Sequence, residues 1–124
     1  MQLQHINIRA PMALLEQEKA FFCETLGLHE GPRPQFSGRG YWLYSGDDAI
    51  VHLSEGTTQL DDPTQGYLDH IAFEMSDLPA VIQTLRDKDV EYTTSYLPDA
   101  DMTQIFVTAP SNTRIELNFI GEKI

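Results

Sequence analysis

The chain has 124 residues, enough for one domain with a real core, and its 41% hydrophobic and 22% charged composition is that of a folded globular protein. A formal charge of -11 argues against nucleic acid, whose phosphates need lysine and arginine clusters, and equally against an anionic membrane surface. The single cysteine, Cys23 in F-F-C-E-T-L, excludes an intrachain disulfide, fits a reducing cytoplasm and reads as a small apolar helix residue. No apolar run approaches the ~18 residues of a membrane span. M-Q-L-Q-H-I has no basic region leading into an apolar run, so no secretory signal is expected.

In chain order, Q-L-Q-H-I-N-I-R alternates and predicts a strand. A helix follows: Leu14, Leu15, Phe22 and Leu26 recur at helical spacing, Pro11 stands near its start and Gly27 suits a left-handed stop. H-E-G-P-R-P-Q-F-S-G-R-G predicts a short strand and then a loop. Y-W-L-Y and A-I-V-H-L flank the turn S-G-D-D as a hairpin. The polar stretch 56–66 reads as a linker. The plan then restarts with Y-L-D-H-I-A-F-E-M as a strand. Next comes a helix capped by Ser76 or Asp77, with Val81, Ile82 and Leu85 as its buried stripe. V-E-Y-T-T-S-Y predicts another strand, and T-Q-I-F-V-T and T-R-I-E-L-N-F flank A-P-S-N as a second hairpin.

The order is βαβββ, linker, βαβββ, an α+β plan. It gives a first module over 1–55, a linker over 56–66 and a second module over 67–124, together forming a single domain, 1–124. The halves superimpose as sequences. L-Q-H-I-N-I falls on L-D-H-I-A-F, placing His5 on His70 (70 − 5 = 65), and the two hairpins place His52 on Glu116 (116 − 52 = 64). Offsets agreeing to one residue point to an internal duplication.

Strand alternation then sorts the faces. His5, Asn7 and Arg9 oppose Ile6 and Ile8; His52 opposes Val51 and Leu53; His70 and Glu74 oppose Ile71 and Phe73; Glu116 and Asn118 oppose Ile115, Leu117 and Phe119. The helices are expected to cover the apolar faces. Three of the four histidines therefore stand with Glu116 at repeat-matched places on the polar face, while His29 falls at the helix exit. Imidazole and carboxylate together suit zinc, iron, nickel or manganese better than magnesium or calcium.

On these motifs, from L-Q-H-I-N-I to R-I-E-L-N-F, the chain resembles the vicinal oxygen chelate superfamily, which includes glyoxalase I, extradiol dioxygenases and bleomycin-resistance proteins. The resemblance implies two βαβββ modules forming a cupped mixed sheet, helices on its outer face and a divalent metal ion (Zn, Ni, Fe or Mn) inside. Carried over residue by residue, the ligands fall on His5, His52, His70 and Glu116. His52 stands where glyoxalase I typically carries Glu or Gln, which makes it a fourth ligand or a general base.

The activity implied is that of a glyoxalase-like lyase or isomerase, acting on a small molecule that chelates the ion through adjacent oxygens. Glu116 and His52 would take part in catalysis. Arg9, with Asn7 beside it, would hold an anionic part of the substrate, and Tyr44 would line the pocket. The alternatives are an Fe(II) extradiol dioxygenase, with His5, His70 and Glu116 as its facial triad, and a non-catalytic drug-binding protein. A homodimer is expected from the same resemblance, and a cytoplasmic location from the single cysteine. The loop from Glu30 to Gly40 and the linker are expected to shape the pocket.

Overall fold

Alternating strands and two helical runs fold as the periodicities require. The computed structural model describes residues 1–35, 38–60 and 67–124. Most of the predicted linker (61–66) and two positions of the predicted pocket loop (36 and 37) lie outside the described residues. The chain divides into two compact units, Met1–Asp62 and Pro63–Ile124.

In the first unit the elements are β1 (Ile6–Ala10), α1 (Met12–Ala20), β2 (His29–Gly31), β3 (Gly40–Ser45) and β4 (Asp48–Glu55). The second unit repeats them as β5 (Ile71–Glu74), α2 (Leu78–Asp87), β6 (Thr93–Leu97), β7 (Met102–Thr108) and β8 (Arg114–Ile120). Each unit holds one mixed four-stranded sheet, ordered β1-β4-β3-β2 in the first and β5-β8-β7-β6 in the second. The first strand of each lies parallel to the last, with Asn7 opposite His52 and Ala72 opposite Glu116. The hairpins match as well, with Trp42 opposite His52 and Phe106 opposite Glu116. These pairings reproduce the 65- and 64-residue offsets of the sequence repeat, so the two halves share hydrogen-bond register as well as element order.

The expectation that His5 and His70 sit within strands needs correction. Ladder pairing begins at Ile6 and at Ile71, so each histidine precedes its strand by one residue. Their side chains are therefore free of the strict alternation that governs the paired residues.

The core of the first unit is built from Leu15, Phe22, Leu43, Val51 and Leu53, and α1 packs on β1, β3 and β4. After Ala20 the helix opens into a wide turn, Phe21–Thr25, in which the amide of Leu26 reaches back five residues to the Phe21 carbonyl at 3.2 Å. The extra residue rotates the chain so that Phe21 and Phe22 are both buried and meet edge to face, 5.6 Å between centroids. Of the two, only Phe22 belongs to the apolar stripe read from the sequence. Gly27 ends the run at φ +85°, as its lack of a Cβ permits. Cys23 is half-buried, and burial pushes its thiol pKa up, in keeping with a packing role.

In the second unit Leu78, Val81 and Leu85 of α2 are buried, as are Ile105, Val107, Ile115, Leu117 and Phe119 of the sheet. Leu78 takes the place predicted for Ile82, which is only half-buried. Asp77 is the cap: at φ 66° its carboxylate accepts from the Ala80 amide at 3.4 Å. The Glu122 carboxylate adds a second clamp, accepting from the amides of Leu78 (2.8 Å) and Asp77 (3.0 Å). It thereby ties the end of the chain to the positive end of the helix. Asn112 turns the second hairpin at φ 70°, a left-handed geometry that its short polar side chain tolerates. Among the described residues no helix is long and apolar enough to cross a membrane.

Candidate functional site

The first unit gathers its polar-face residues around His52. The His52 ring is sandwiched, with the His5 ring 3.9 Å away on one face at 10° and the Trp42 indole 4.1 Å away on the other at 11°. Its Nε2 lies 3.0 Å from the Ala49 carbonyl. A carbonyl only accepts, so Nε2 carries the proton and Nδ1 keeps the lone pair. Burial holds the His52 pKa below the ordinary histidine value, helped by the neighbouring His5 and Arg33 and opposed by the bond to Ala49.

The stack constrains coordination. An imidazole binds a metal in the plane of its ring, about 2.1 Å from the nitrogen. Two nearly parallel planes this far apart have no common point, so one ion lies in the plane of His5 or of His52 in this arrangement. His5 instead points its Nδ1 at the Gln4 side-chain oxygen, 3.0 Å away.

The second unit arranges its pair differently. His70 Nε2 stands 3.7 Å from Glu116 Oε1. Two donors that share an ion at about 2.1 Å are separated by roughly 3.0–3.4 Å in octahedral or tetrahedral geometry. At 3.7 Å the pair stands just outside that range, and a small side-chain adjustment brings it to ligating distance. His70 Nδ1 donates to Asp69 Oδ2 at 2.8 Å, which leaves Nε2 as the free donor atom. The same Asp69 oxygen accepts from Arg114 Nη1 at 3.1 Å, and the Arg114 guanidinium lies 4.6 Å over the Phe106 ring. The bond from His70, with Arg114 beside it, holds the Asp69 carboxyl below its ordinary pKa.

Glu116 is 8% exposed, and both of its oxygens are held. Oε1 accepts from Gln104 Nε2 at 3.1 Å and Oε2 from Asn118 Nδ2 at 2.9 Å. Two neutral amides orient the carboxylate without neutralising it, so it keeps its value to a cation. Among the described residues no group of three or more His, Cys, Asp or Glu side chains is placed to hold an ion.

The remaining predicted residues border two cavities of the first unit. One, of about 340 Å³, is lined by Asn7, Arg9, Arg33, Arg39, Trp42 and His52 among others. Asn7 accepts from the Ser54 hydroxyl at 2.9 Å. Arg39 is engaged by Glu55, Nη2 to Oε2 at 2.7 Å. Arg9 makes no hydrogen bond or ion pair among the described residues, and its stem runs along Gly56, where an added Cβ would stand 3.0 Å from Arg9 Cγ. The other cavity, of about 610 Å³, includes Tyr44, Trp42 and His52 in its wall. Tyr44 also donates its hydroxyl to the Pro32 carbonyl, which ties it to the loop after β2.

Sequence reasoning gave no role to Gln4, Asp69, Gln104 or Arg114 and noted Asn118 only as a polar-face residue. A signal for two of them was present: Gln4 and Asp69 each bear a side-chain oxygen immediately before a repeat-matched histidine.

The profile of the Glyoxalase/Bleomycin resistance protein/Dioxygenase superfamily matches residues 2–117. No curated protein matches the chain. Among solved structures, a glyoxalase family protein from Bacillus anthracis is 25% identical, with a TM-score of 0.73 over 97% of this chain and 95% of that one. A glyoxalase/dioxygenase from Nostoc punctiforme is 17% identical, with a TM-score of 0.78 over 98% and 92%. A mutant of the fosfomycin resistance protein FosX from Listeria monocytogenes, complexed with Mn(II) and 1S,2S-dihydroxypropylphosphonic acid, is 15% identical, with a TM-score of 0.72 over 95% and 91%. The duplicated βαβββ plan, its repeated register and a family match over nearly the whole chain lead to one conclusion: the chain belongs to the glyoxalase/bleomycin resistance protein/dioxygenase superfamily.

Proposed function

We propose that this protein is a divalent-metal enzyme of glyoxalase type, acting on a small anionic molecule with two adjacent oxygens. The observation that carries this reading is the His70–Glu116 pair: a free Nε2 held from behind by Asp69, 3.7 Å from a carboxylate oriented by two amides. His5 completes the shell in this reading, from the same chain or from a second copy in a cytoplasmic homodimer. The similarity to FosX, which is described with Mn(II) and a vicinally substituted phosphonate, is in keeping with it.

When bound, the ion supplies Lewis acidity to the chelating oxygens. The chain's own groups do the rest. Arg9 and Asn7 bind the anionic part of the substrate in the 340 Å³ cavity and so fix its orientation. His52 acts as general base through Nδ1, because its Nε2–H is committed to the Ala49 carbonyl. Trp42 gives the 340 Å³ cavity an apolar wall and limits water, while Tyr44 lines the neighbouring 610 Å³ cavity.

The fixed position of His52 also favours a second reading. With His52 held in its stack, the donors reduce to His5, His70 and Glu116, two imidazoles and one carboxylate, which is the facial set of Fe(II) extradiol dioxygenases.

Metal titration by calorimetry decides first. Binding of Zn(II), Ni(II), Mn(II) or anaerobic Fe(II) near one ion per site, abolished in His70→Ala and Glu116→Ala, is the expected result. Absence of binding for all four ions refutes the metal reading and leaves a drug-binding protein. Ring cleavage of catechol by the Fe(II) form would select the dioxygenase.

A further inference from the structure

We propose that Gln4 and Asp69 are a repeat-related pair of positioning residues that lock His5 and His70 in the tautomer that presents Nε2 to a metal ion. The inference rests on the metal reading above and extends it to residues outside the ligand set.

Three observations carry it. First, the same contact occurs twice. Gln4 Oε1 lies 3.0 Å from His5 Nδ1, and Asp69 Oδ2 lies 2.8 Å from His70 Nδ1. Gln4 and Asp69 are separated by the same 65 residues as the two histidines, so the device repeats with the fold. Second, adjacent side chains on a paired strand point to opposite faces and cannot meet. They meet here because ladder pairing starts one residue later, at Ile6 and Ile71, in both units. Third, the atom each partner turns to the contact is an oxygen, which accepts and so places the proton on Nδ1 and the lone pair on Nε2. In an isolated neutral imidazole either nitrogen can carry the proton, so the ring itself does not select Nε2 as donor.

The two locks differ in strength. Asp69 is anionic and is itself held by Arg114 at 3.1 Å, with that guanidinium resting on Phe106. Gln4 is a neutral amide. A carboxylate behind a ligating imidazole supports it more strongly than a neutral amide does, so Asp69 is the stronger of the two supports.

Two-bond ¹H–¹⁵N NMR of the imidazoles in metal-free protein near pH 8 tests the lock directly. Only four histidines are present, and single substitutions assign them. In the wild type His5 and His70 are expected as Nδ1–H tautomers. Asp69→Ala and Gln4→Ala each shift their own histidine toward Nε2–H and leave the other unchanged. Zn(II) affinity falls about 10–100-fold in Asp69→Ala and less in Gln4→Ala, and Asp69→Glu restores part of the loss. Both positions are exposed, and circular dichroism checks that the variants fold. An unchanged His70 tautomer in folded Asp69→Ala overturns the proposal. So does a changed tautomer with wild-type Zn(II) affinity. A wild type that shows the Nδ1–H tautomers but binds no Zn(II) fails the metal reading instead, so the two failures are distinct.

Discussion

Replacing Glu116 by Gln separates the fold of the second unit from its chemistry. The side chain keeps its shape, but one oxygen becomes an NH₂ facing either the Gln104 or the Asn118 amide, both of which now donate. Asn118 can absorb this change. Among the described residues its buried Oδ1 has no hydrogen-bond partner, so turning that amide over lets Oδ1 accept from the new NH₂. Two charge-assisted bonds of about 1.5–3 kcal/mol become neutral bonds of about 0.5–1.5 kcal/mol. Against that loss, a nearly buried carboxylate no longer has to be desolvated. The net change in stability is expected within about 1 kcal/mol, a melting shift of roughly 4 °C or less. Metal affinity responds far more, because an anionic ligand is lost. The effect should exceed the ~10–100-fold attached to supporting residues, that is, more than about 2.8 kcal/mol. Calorimetric Zn(II) titration beside a thermal melt measures both quantities. A folded variant binding Zn(II) within threefold of wild type would refute the assignment of Glu116 as a ligand.

Three further outcomes follow from the geometry. Glu122→Ala removes the clamp on the Asp77 and Leu78 amides and should cost about 1–3 kcal/mol of stability, read by urea denaturation, with metal affinity unchanged. Arg39 holds the Glu55 carboxyl pKa below its ordinary value through their hydrogen bond and charge. Because the folded value is the lower one, this pair favours the fold above the unfolded carboxylate pKa, and its contribution is lost as pH falls through the folded value. Arg39→Met should raise the Glu55 pKa, seen by carboxyl NMR titration, whereas 1 M salt should only blunt the difference. Finally, Trp42 is the only tryptophan and lies against His52, which lies against His5. If His5 leaves the stack to join the ion, Zn(II) will change the Trp42 emission saturably in wild type but not in His5→Ala.

Much of the architecture could be read from the residues in order. Period-2 and period-3.6 patterns located the elements, and the match of L-Q-H-I-N-I to L-D-H-I-A-F exposed the duplication, because both signals are local and depend only on residue type and spacing. The same alternation put His52 and Glu116 on the polar faces. Other features required tertiary structure. The wide turn at Phe21–Thr25 depends on how two phenylalanines fill one core, which helical spacing does not encode. The start of ladder pairing at Ile6 and Ile71 is set by the partner strands, and it freed His5 and His70 to reach the side chains before them. Alternation fixes the face a side chain leaves from but says nothing of its rotamer. For that reason only the folded units reveal that His52 lies flat between two rings with its Nε2 at the Ala49 carbonyl, and that Glu116 is held by two amides.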